Sequence, residues 1–334
     1  MNLGLLPELR NRMQNNMVDE IINTDKENLL EDTTFIVDID DKNTRIDKYL
    51  SDELADVSRS RIQKLLDEGM ITVNNNKVKS NYKVAADDII NVHIPELVVP
   101  EIVPEDISLD IVYEDDDIIV INKPKGMVVH PAAGPYSGTL VNALMYHCRD
   151  NLSGINGVLR PGIVHRIDMN TTGVIVACKN DYAHNFIAQQ LSVHSITRKY
   201  YAIVHNQFNN TEGVVDAPIG RNPSDRKKMA VDKKNGKRAV THYRVLEQFG
   251  KFSYIECQLE TGRTHQIRVH MASIGHPLLG DDVYGSGKSP FNLCGQTLHA
   301  GVLGFIHPTT KEYVEYSADL PEYFQKVISR LRNS

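Results

Sequence analysis

The sequence predicts an α+β protein, in which a small N-terminal α/β module precedes a larger domain with a mixed, largely antiparallel β-sheet and packed helices. Three observations lead to this prediction. The 334 residues suffice for about two domains. The composition, 41% hydrophobic and 24% charged residues, is ordinary for a soluble globular chain. After residue 109, short β-like runs separated by turns alternate with helical segments.

The chain is predicted to divide into four parts. The first residues are rich in acidic side chains and Asn, and they predict a mobile or weakly helical extension to which we assign no function. Residues 95–110 are rich in proline, which interrupts helices and central strands, so this stretch predicts a linker. The predicted parts are an extension (1–32), a module (33–96), a linker (97–108) and a large domain (109–334).

The module is predicted to contain two helices followed by short strands. "RIDKYLSDEL" (45–54) places apolar residues at helical spacing. A second helix begins after Ser58 as its N-cap and ends at Gly69. "MITVNNNKV" predicts two strands around an Asn-rich turn, and the alternation in residues 88–94 predicts a closing strand.

Several strands and helices of the large domain are predicted from short stretches of its sequence. In the region that begins at "DIIVINKPKGMVV", strands are predicted at "GVIVACK", "YYAIVH", "THYRVLEQF" and "FSYIECQLE", and a helix is predicted at "DYAHNFIAQQL". A further helix, "HQIRVHMASIG", is predicted to be capped by Thr264, to bury Ile267, Met271 and Ile274, and to end at Gly275.

The formal charge of −6 gives no global attraction to nucleic acid, so such binding would depend on local basic clusters. The second predicted helix exposes Arg59, Arg61 and Lys64, which could contact an RNA backbone. Basic residues on an amphipathic helix more often form only its solvated face. Residues 221–244 carry nine Lys or Arg and two Asp, and are either a polyanion contact or a solvated hairpin or loop.

Several classes of protein are disfavoured. The cysteines are scattered without a C-x-x-C pair, which argues against a zinc knuckle and suits a reducing compartment: Cys148, Cys178, Cys257 and Cys294. No apolar run approaches the ~18 residues that a membrane span needs, and the N-terminus lacks the features of an export signal. No glycine-rich phosphate loop is present. We therefore expect a cytoplasmic protein without membrane contact.

Asp168 lies in a turn directly before the strand "GVIVACK", where a side chain can project from the end of a rigid sheet. Such positions favour catalysis. An Asp beside Thr and Gly also commonly caps a turn through its own side-chain oxygens, so the position alone leaves both interpretations open.

Arg268, in the first turns of the last predicted helix, could pair with a carboxylate from elsewhere in the chain and keep it an oriented anion, which is a competent nucleophile. It could equally be an ordinary surface arginine. His265 and His270 are five residues apart, so on a helix they diverge by about 140° and do not readily share one metal ion. We expect no metal site.

Taken together, the motifs resemble those of the RluA/RluD family of pseudouridine synthases, in order and across nearly the whole chain from about residue 33. "HRIDMNTTG" (165–173) resembles the catalytic motif, "NKPKG" (122–126) the opening motif, "TRKYYA" (197–202) the tyrosine motif and "GRTHQIRVH" (262–270) the arginine motif. "GHPLLGDDVYG", "LHAGVLGFIHP" and "SADLPEYF" also match. The family's leucine in the catalytic motif is Ile167 here, a volume-conserving change.

The resemblance implies roles for named residues. Asp168 would be the catalytic nucleophile and Arg268 its ion-pair partner. Tyr200 would pack on the target base and is a candidate for the proton abstraction that restores aromaticity. Substrate-binding roles are implied for the first two residues of the catalytic motif and for an apolar neighbour of the base: Arg166, which would fill the gap left by a flipped uridine, His165 and Ile267.

The resemblance also implies the reaction and its partners. Pseudouridylation detaches uracil from ribose and rejoins it through carbon, without redox change or loss of a group, so no cofactor is expected. The module resembles an S4-like RNA-binding domain, which again points to Arg59, Arg61 and Lys64. The RluD-like arrangement implies large-subunit ribosomal RNA as the substrate, within a precursor or assembling particle, and we expect a monomer.

Two other classes of function compete with this interpretation. A binding-only protein with a disabled catalytic domain is disfavoured because Asp168, Tyr200 and Arg268 are intact. A hydrolytic glycosidase generally needs two carboxylates about 5–10 Å apart, and no second acid lies in a comparable motif. The target uridine cannot be derived from the sequence.

Overall fold

The computed structural model describes residues 33–54, 57–94, 102–130, 137–149, 151–155, 157, 160–225, 228–285 and 289–334. The chain separates into two compact units, one ending at Val99 and the other beginning at Pro100. The predicted extension over 1–32 lies outside the described residues, and the predicted domain boundaries stay predictions. Among the described helices, none combines the length and the apolar character needed to cross a membrane.

The smaller unit consists of two helices and one antiparallel sheet. Its elements are β1 (Thr33–Ile36), α1 (Ile46–Glu53), α2 (Arg59–Glu68), β2 (Ile71–Val73), β3 (Asn76–Lys77) and β4 (Ile89–Val92), with a 3-10 turn at Ile39–Asp41. The strand order is β1-β4-β2-β3. Both predicted helices and the predicted strands are present.

Helix α2 illustrates why this sequence folds locally as predicted. The Ser58 hydroxyl accepts a hydrogen bond from the Arg61 amide at the N-terminus. At the other end, Gly69 adopts a left-handed conformation with φ 76°, which glycine tolerates without strain. One face buries Ile62, Leu65 and Leu66. Burial of each such side chain contributes roughly 1.5–3 kcal/mol.

The larger unit is built on one mixed sheet. Its helices are α3 (Leu140–Cys148), α4 (Asp181–Ser192), α5 (Gln266–Ser273) and α6 (Glu322–Arg332). Its strands are β5 (Ile111–Glu114), β6 (Ile118–Lys123), β7 (Thr172–Cys178), β8 (Thr197–His205), β9 (Glu212–Asp216), β10 (Ile219–Arg221), β11 (Met229–Val231), β12 (Val240–Phe249), β13 (Phe252–Leu259), β14 (Leu298–Ile306) and β15 (Tyr313–Ser317).

The topology of this sheet agrees with the predicted fold class. The described strands follow the order β5-β6-β7-β14-β8-β13-β12-β9, β15 pairs with β14, and β10 and β11 form a separate hairpin. Among these pairs, only β7 and β14 run parallel. Close to this junction Gly173 has φ 107°, and a Cβ there would clash with the Ala300 carbonyl. The end of β7 that follows Asp168 is thereby held close against β14.

The C-terminal part of the predicted linker packs on the larger unit. Ile102 is buried in the core of this unit. The Glu105 carboxylate accepts hydrogen bonds from the Gly138 amide at 3.0 and 3.1 Å. These described residues are therefore part of the larger unit's packing rather than a free spacer.

Candidate active site

The turn before β7 holds Asp168 at the mouth of a cleft. The Thr171 amide donates to the Asp168 carbonyl at 3.0 Å and closes the turn. The Asp168 side chain is 18% exposed, and its Oδ2 accepts a hydrogen bond from Arg268 Nη1 at 2.9 Å across 100 residues of sequence. Within the described residues, Oδ1 accepts no hydrogen bond. One carboxylate oxygen is thus held by a cation while the other faces the cleft.

Arg268 is shared between two carboxylates. Its Nε and Nη2 donate to Asp281 at 2.7 and 3.0 Å, and the Asp281 side chain is fully buried. The Val283 and Tyr284 amides also donate to Asp281. Burial would raise the pKa of Asp281, but these donors lower it below its ordinary value. Burial would lower the pKa of Arg268, but the two carboxylates raise it, so the guanidinium stays charged.

The predicted N-cap of the helix that carries Arg268 was wrong. Helix α5 begins after His265, which occupies the cap position with a left-handed φ of 57°, and not after Thr264. Gln266 takes over the local bonding, because its Oε1 accepts from the Arg263 amide and from Thr261 Oγ1. Ile274 was also predicted to be buried on the core face of this helix, but it is 38% exposed.

His265 and Tyr284 form a hydrogen-bonded pair beside Asp168. His265 Nδ1 lies 2.7 Å from the Tyr284 hydroxyl, which also accepts from the Met229 amide at 2.9 Å. His265 Nε2 lies 3.7 Å from Asp168 Oδ1. Burial lowers the pKa of His265, so its imidazole is neutral at pH 7. A phenol proton donated to Nδ1 would leave Nε2–H facing the carboxylate.

The predicted base-binding residues line the same cleft as Asp168. The cleft is bordered by Arg166, Tyr200 and Ile267. Tyr200 and Ile267 are buried, whereas Arg166 is exposed. Burial raises the pKa of the Tyr200 phenol, which is therefore protonated at neutral pH. His165 lines a neighbouring depression that also reaches Asp168.

Lys123 stabilises the turn that holds Asp168. It was not among the site residues predicted from the sequence. It is fully buried, and its Nζ donates to the carbonyls of Pro124, Met127 and Met169 at 2.8, 2.8 and 3.1 Å. Burial lowers the pKa of Lys123 to about 7, which the charge of Asp168 opposes. The available signal was a lysine at the end of a buried strand, within "NKPKG".

The predicted RNA-binding residues of the smaller unit differ in the interactions that they make within the protein. The Asp47 carboxylate is fully buried and accepts hydrogen bonds from Arg45, Arg59 and Gln63. Lys64 lies 3.5 Å from Glu68 on the exposed helix face, and Arg61 is half-buried. Arg59 is thus partly committed to structure, whereas Lys64 makes only an exposed ion pair.

The basic segment 221–244 begins at the end of β10 and includes β11, which packs beside α5, and the start of β12. Met229 and Val231 pack on Val269 and Tyr284. Lys233 and Lys234 are exposed in the turn that follows, where Asp232 accepts from the Lys234 amide at 2.9 Å. Positive charge is thereby displayed next to the helix that carries Arg268.

One group of potential metal ligands is present in the described part of the chain, away from Asp168. Glu114, His147 and Cys148 lie together. Lys179 also pairs with Glu114 at 2.9 Å, and burial raises the pKa of Cys148 to about 11. His265 and His270 bind other partners, since His270 contacts Thr241 and the Ala217 carbonyl.

Comparison with known proteins identifies the family to which this chain belongs. Residues 117–273 match the RNA pseudouridylate synthase family, and residues 44–90 match the S4 domain. The RNA pseudouridine synthase YlyB of Bacillus subtilis is 53% identical over 294 residues, which cover 88% of this chain and 96% of that protein. The chain belongs to the RNA pseudouridine synthases.

Further relatives of this pseudouridine synthase agree with the assignment. Ribosomal large subunit pseudouridine synthase D of Zymomonas mobilis is 47% identical, over 86% of this chain and 93% of that protein. Among solved structures, human RNA pseudouridylate synthase domain containing 4 superposes with a TM-score of 0.52 at 28% identity, covering 66% of this chain and 92% of that one. The predicted family, fold class and S4 domain are confirmed, and the enzyme is an RNA-modifying isomerase.

We expect Arg59→Ala to lower the free energy of unfolding of this synthase by about 1–3 kcal/mol, because a fully buried carboxylate loses a charged donor. Lys64→Ala is expected to stay within about 0.5 kcal/mol, since its ion pair is exposed. Denaturant unfolding of the full chain measures both. Equal effects of the two substitutions would contradict the structural role given to Arg59.

Proposed function

We propose that this enzyme isomerises specific uridines of large-subunit ribosomal RNA, with Asp168 as its nucleophile. The observation that carries the proposal is the asymmetric environment of this carboxylate. Arg268 holds Oδ2 at 2.9 Å, while Oδ1 is open to a cleft bordered by Tyr200 and Ile267. An oriented anion of this kind can attack or stabilise the anomeric carbon of a ribose.

The reaction proposed for this cleft balances without a cofactor. The bond between uracil N1 and ribose C1′ breaks as an Asp168 carboxylate oxygen bonds to C1′, and the detached base turns within the cleft. Uracil C5 then bonds to C1′ and displaces the Asp168 carboxylate, which is regenerated as a free anion; the proton on C5 leaves, and N1 takes up a proton. The apolar wall provided by Ile267 and Tyr200 retains the base and limits access of water.

The roles of the surrounding residues follow from their positions. Tyr200 supports the uracil ring by stacking, and its raised phenol pKa means that proton abstraction would first require it to lose its own proton. Arg166 is exposed at the mouth of the cleft, where it can fill the gap left by an everted uridine. His165 Nε2 accepts a hydrogen bond from the Val176 amide, and burial lowers the pKa of His165 to about 3. This side chain therefore lines the depression as an uncharged imidazole.

The choice of RNA rests on relatives. Proteins named ribosomal large subunit pseudouridine synthase D, from Zymomonas mobilis and Neisseria meningitidis, are 47% and 43% identical to this chain. We extend their substrate class to this enzyme and propose that it acts in the cytoplasm on a precursor or assembling particle. Because Asp168, Tyr200 and Arg268 all come from one chain, a monomer suffices for the site.

Pseudouridine mapping of ribosomal RNA tests this function. Cells that lack the protein are expected to lose the modification at defined large-subunit uridines, and expression of the wild-type chain should restore it. RNA of the small subunit from the same cells is the internal control. A map without any missing large-subunit pseudouridine would contradict the proposed substrate.

We expect the β10–β11 hairpin and the turn after it to contribute to RNA affinity. Joint charge reversal at Lys228, Lys233 and Lys234 should weaken binding and flatten its salt dependence, since fewer counterions are released. Binding to a large-subunit RNA transcript measured across salt concentrations checks this. Lys326→Glu on α6 is the control, and an unchanged salt slope in the triple variant would remove this segment from the RNA-binding surface.

A further inference from the structure

A second depression beside Asp168 is lined by an unusual group of cations. It is bordered by Arg166, Arg198 and Arg263 together with Asp168. Within the described residues, none of the three arginines has a carboxylate oxygen within 4.0 Å. Arg198 is only 7% exposed. Like charges are therefore concentrated around the depression, and no described carboxylate contacts any of the three guanidinium groups.

The environment of Arg198 is unfavourable for an isolated cation. Its Nη2 donates to the Glu260 carbonyl at 3.0 Å, but its buried Nε has no hydrogen-bond partner. Burial lowers the pKa of Arg198, and the charge of Arg263 lowers it further. A buried guanidinium without a counterion is strongly destabilising. An external anion bound in the depression would supply the missing negative charge.

The acidic side chain of Glu260, the residue whose backbone contacts Arg198, pairs with other residues. The Glu260 carboxylate, whose backbone carbonyl accepts from Arg198, pairs with Arg238 at 2.9 Å and with His242 at 2.8 Å. Arg263 Nε donates to the Arg238 carbonyl at 2.9 Å. The Glu260 carboxylate is thus held by two other partners, and the guanidinium groups that border the depression stay uncompensated.

The backbone at Gly262 leaves space for the guanidinium group of Arg198. A Cβ atom at Gly262 would lie 2.5 Å from Arg198 Nη1, so the absence of a side chain there makes room for the guanidinium. Arg198 is two residues before Tyr200 on β8, and alternate residues of a strand share one face. The strand that places Tyr200 in the cleft therefore also places Arg198 in the neighbouring depression.

We propose that Arg198 and Arg263 bind a phosphodiester group of the substrate RNA next to the nucleotide whose ribose reaches Asp168. This proposal rests on the proposed function of Asp168. Guanidinium groups match phosphate oxygens in charge and geometry, and an RNA strand that enters the cleft brings its phosphates with it. The phosphate neutralises the buried charge, and the contact fixes the register of the strand relative to the catalytic carboxylate.

Substitution of Arg198 separates this binding role from a structural one. Arg198→Met removes the uncompensated buried charge, so Tm of the full-length enzyme should be unchanged or higher. Affinity for a large-subunit RNA transcript should fall, with the slope of log K against log salt flatter by about 0.7–0.9 for one lost phosphate contact. Arg263→Gln, at a half-buried position, should give the same change of slope.

Arg330→Gln is the matched control, because Arg330 is an exposed arginine on α6. If Arg198→Met lowers Tm, its loss of affinity has a structural explanation. The slope of log K against log salt for Arg263→Gln then tests whether this depression binds a phosphate. A wild-type slope in Arg263→Gln, or in a stable Arg198→Met, overturns the phosphate site. Asp168→Asn should keep the wild-type slope while losing activity. An active Asp168→Asn enzyme would contradict the proposed function, independently of the arginine variants.

Discussion

Replacement of Asp168 by Asn is expected to lower kcat on the order of 10⁴-fold or more, the range seen when an enzyme loses its nucleophile. Asparagine has nearly the same shape but cannot ionise, so the attack on ribose C1′ is lost. Arg268 would still be held by Asp281, so the fold should persist. Release of tritium from RNA labelled at uridine C5 measures the effect, because this hydrogen leaves when C5 joins the ribose.

Asp116→Asn is the matched control for this experiment. Asp116 is exposed in the turn between β5 and β6, and its substitution should leave kcat unchanged. RNA affinity of Asp168→Asn should also be close to that of the wild type, which separates chemistry from binding. A folded Asp168→Asn enzyme with substantial tritium release would show that another group attacks the sugar.

Asp281→Ala is expected to lower the free energy of unfolding by about 3–5 kcal/mol, because it leaves Arg268 buried with only one partly exposed carboxylate partner. It also removes the acceptor for the Val283 and Tyr284 amides. Denaturant unfolding measures the loss. Activity should fall as well, since Arg268 would no longer be held on its second side to orient Asp168.

The pH dependence of stability distinguishes Asp281 from an ordinary buried residue. Its pKa is lowered in the folded protein, so its ionisation stabilises the fold above the ordinary carboxyl pKa. This stabilisation disappears as pH falls through the folded-state pKa. Asp281→Asn should therefore show a shallower loss of unfolding free energy below about pH 4 than the wild type. Parallel pH curves for the two proteins would contradict this role.

The structure bears on the alternative of a hydrolytic glycosidase. A second carboxylate does lie close to Asp168, because Asp281 binds the same guanidinium. Asp281 is fully buried and accepts two hydrogen bonds from Arg268 and two from backbone amides, so it cannot reach a substrate or activate water. Asp281 is therefore excluded as the second acid of a glycosidase, in agreement with membership in the pseudouridine synthases.

Local patterns predicted those elements whose periodicity was clear. The boundaries of α2 followed from Ser58 and Gly69, and short β-like runs indicated β7, β8, β12 and β13, whereas the central strand β14 was recognised only as the motif "LHAGVLGFIHP". Helix α3 was not predicted, because most of its residues are apolar and buried and the helical period is therefore hidden. Helix α6 was recognised only as the motif "SADLPEYF", although its apolar residues do follow helical spacing.

The sequence by itself determined the type of fold, the family and the residue types from which a nucleophile and its cation are drawn, because periodicity, turn residues and ordered motifs are local properties of the chain. The tertiary structure alone decided that Asp281 shares Arg268, that His265 and not Thr264 precedes α5, that Arg59 is partly committed to Asp47, and that Arg198 is buried without a counterion. These features depend on burial and on contacts between residues distant in sequence, and their energies are set by the surroundings that folding creates.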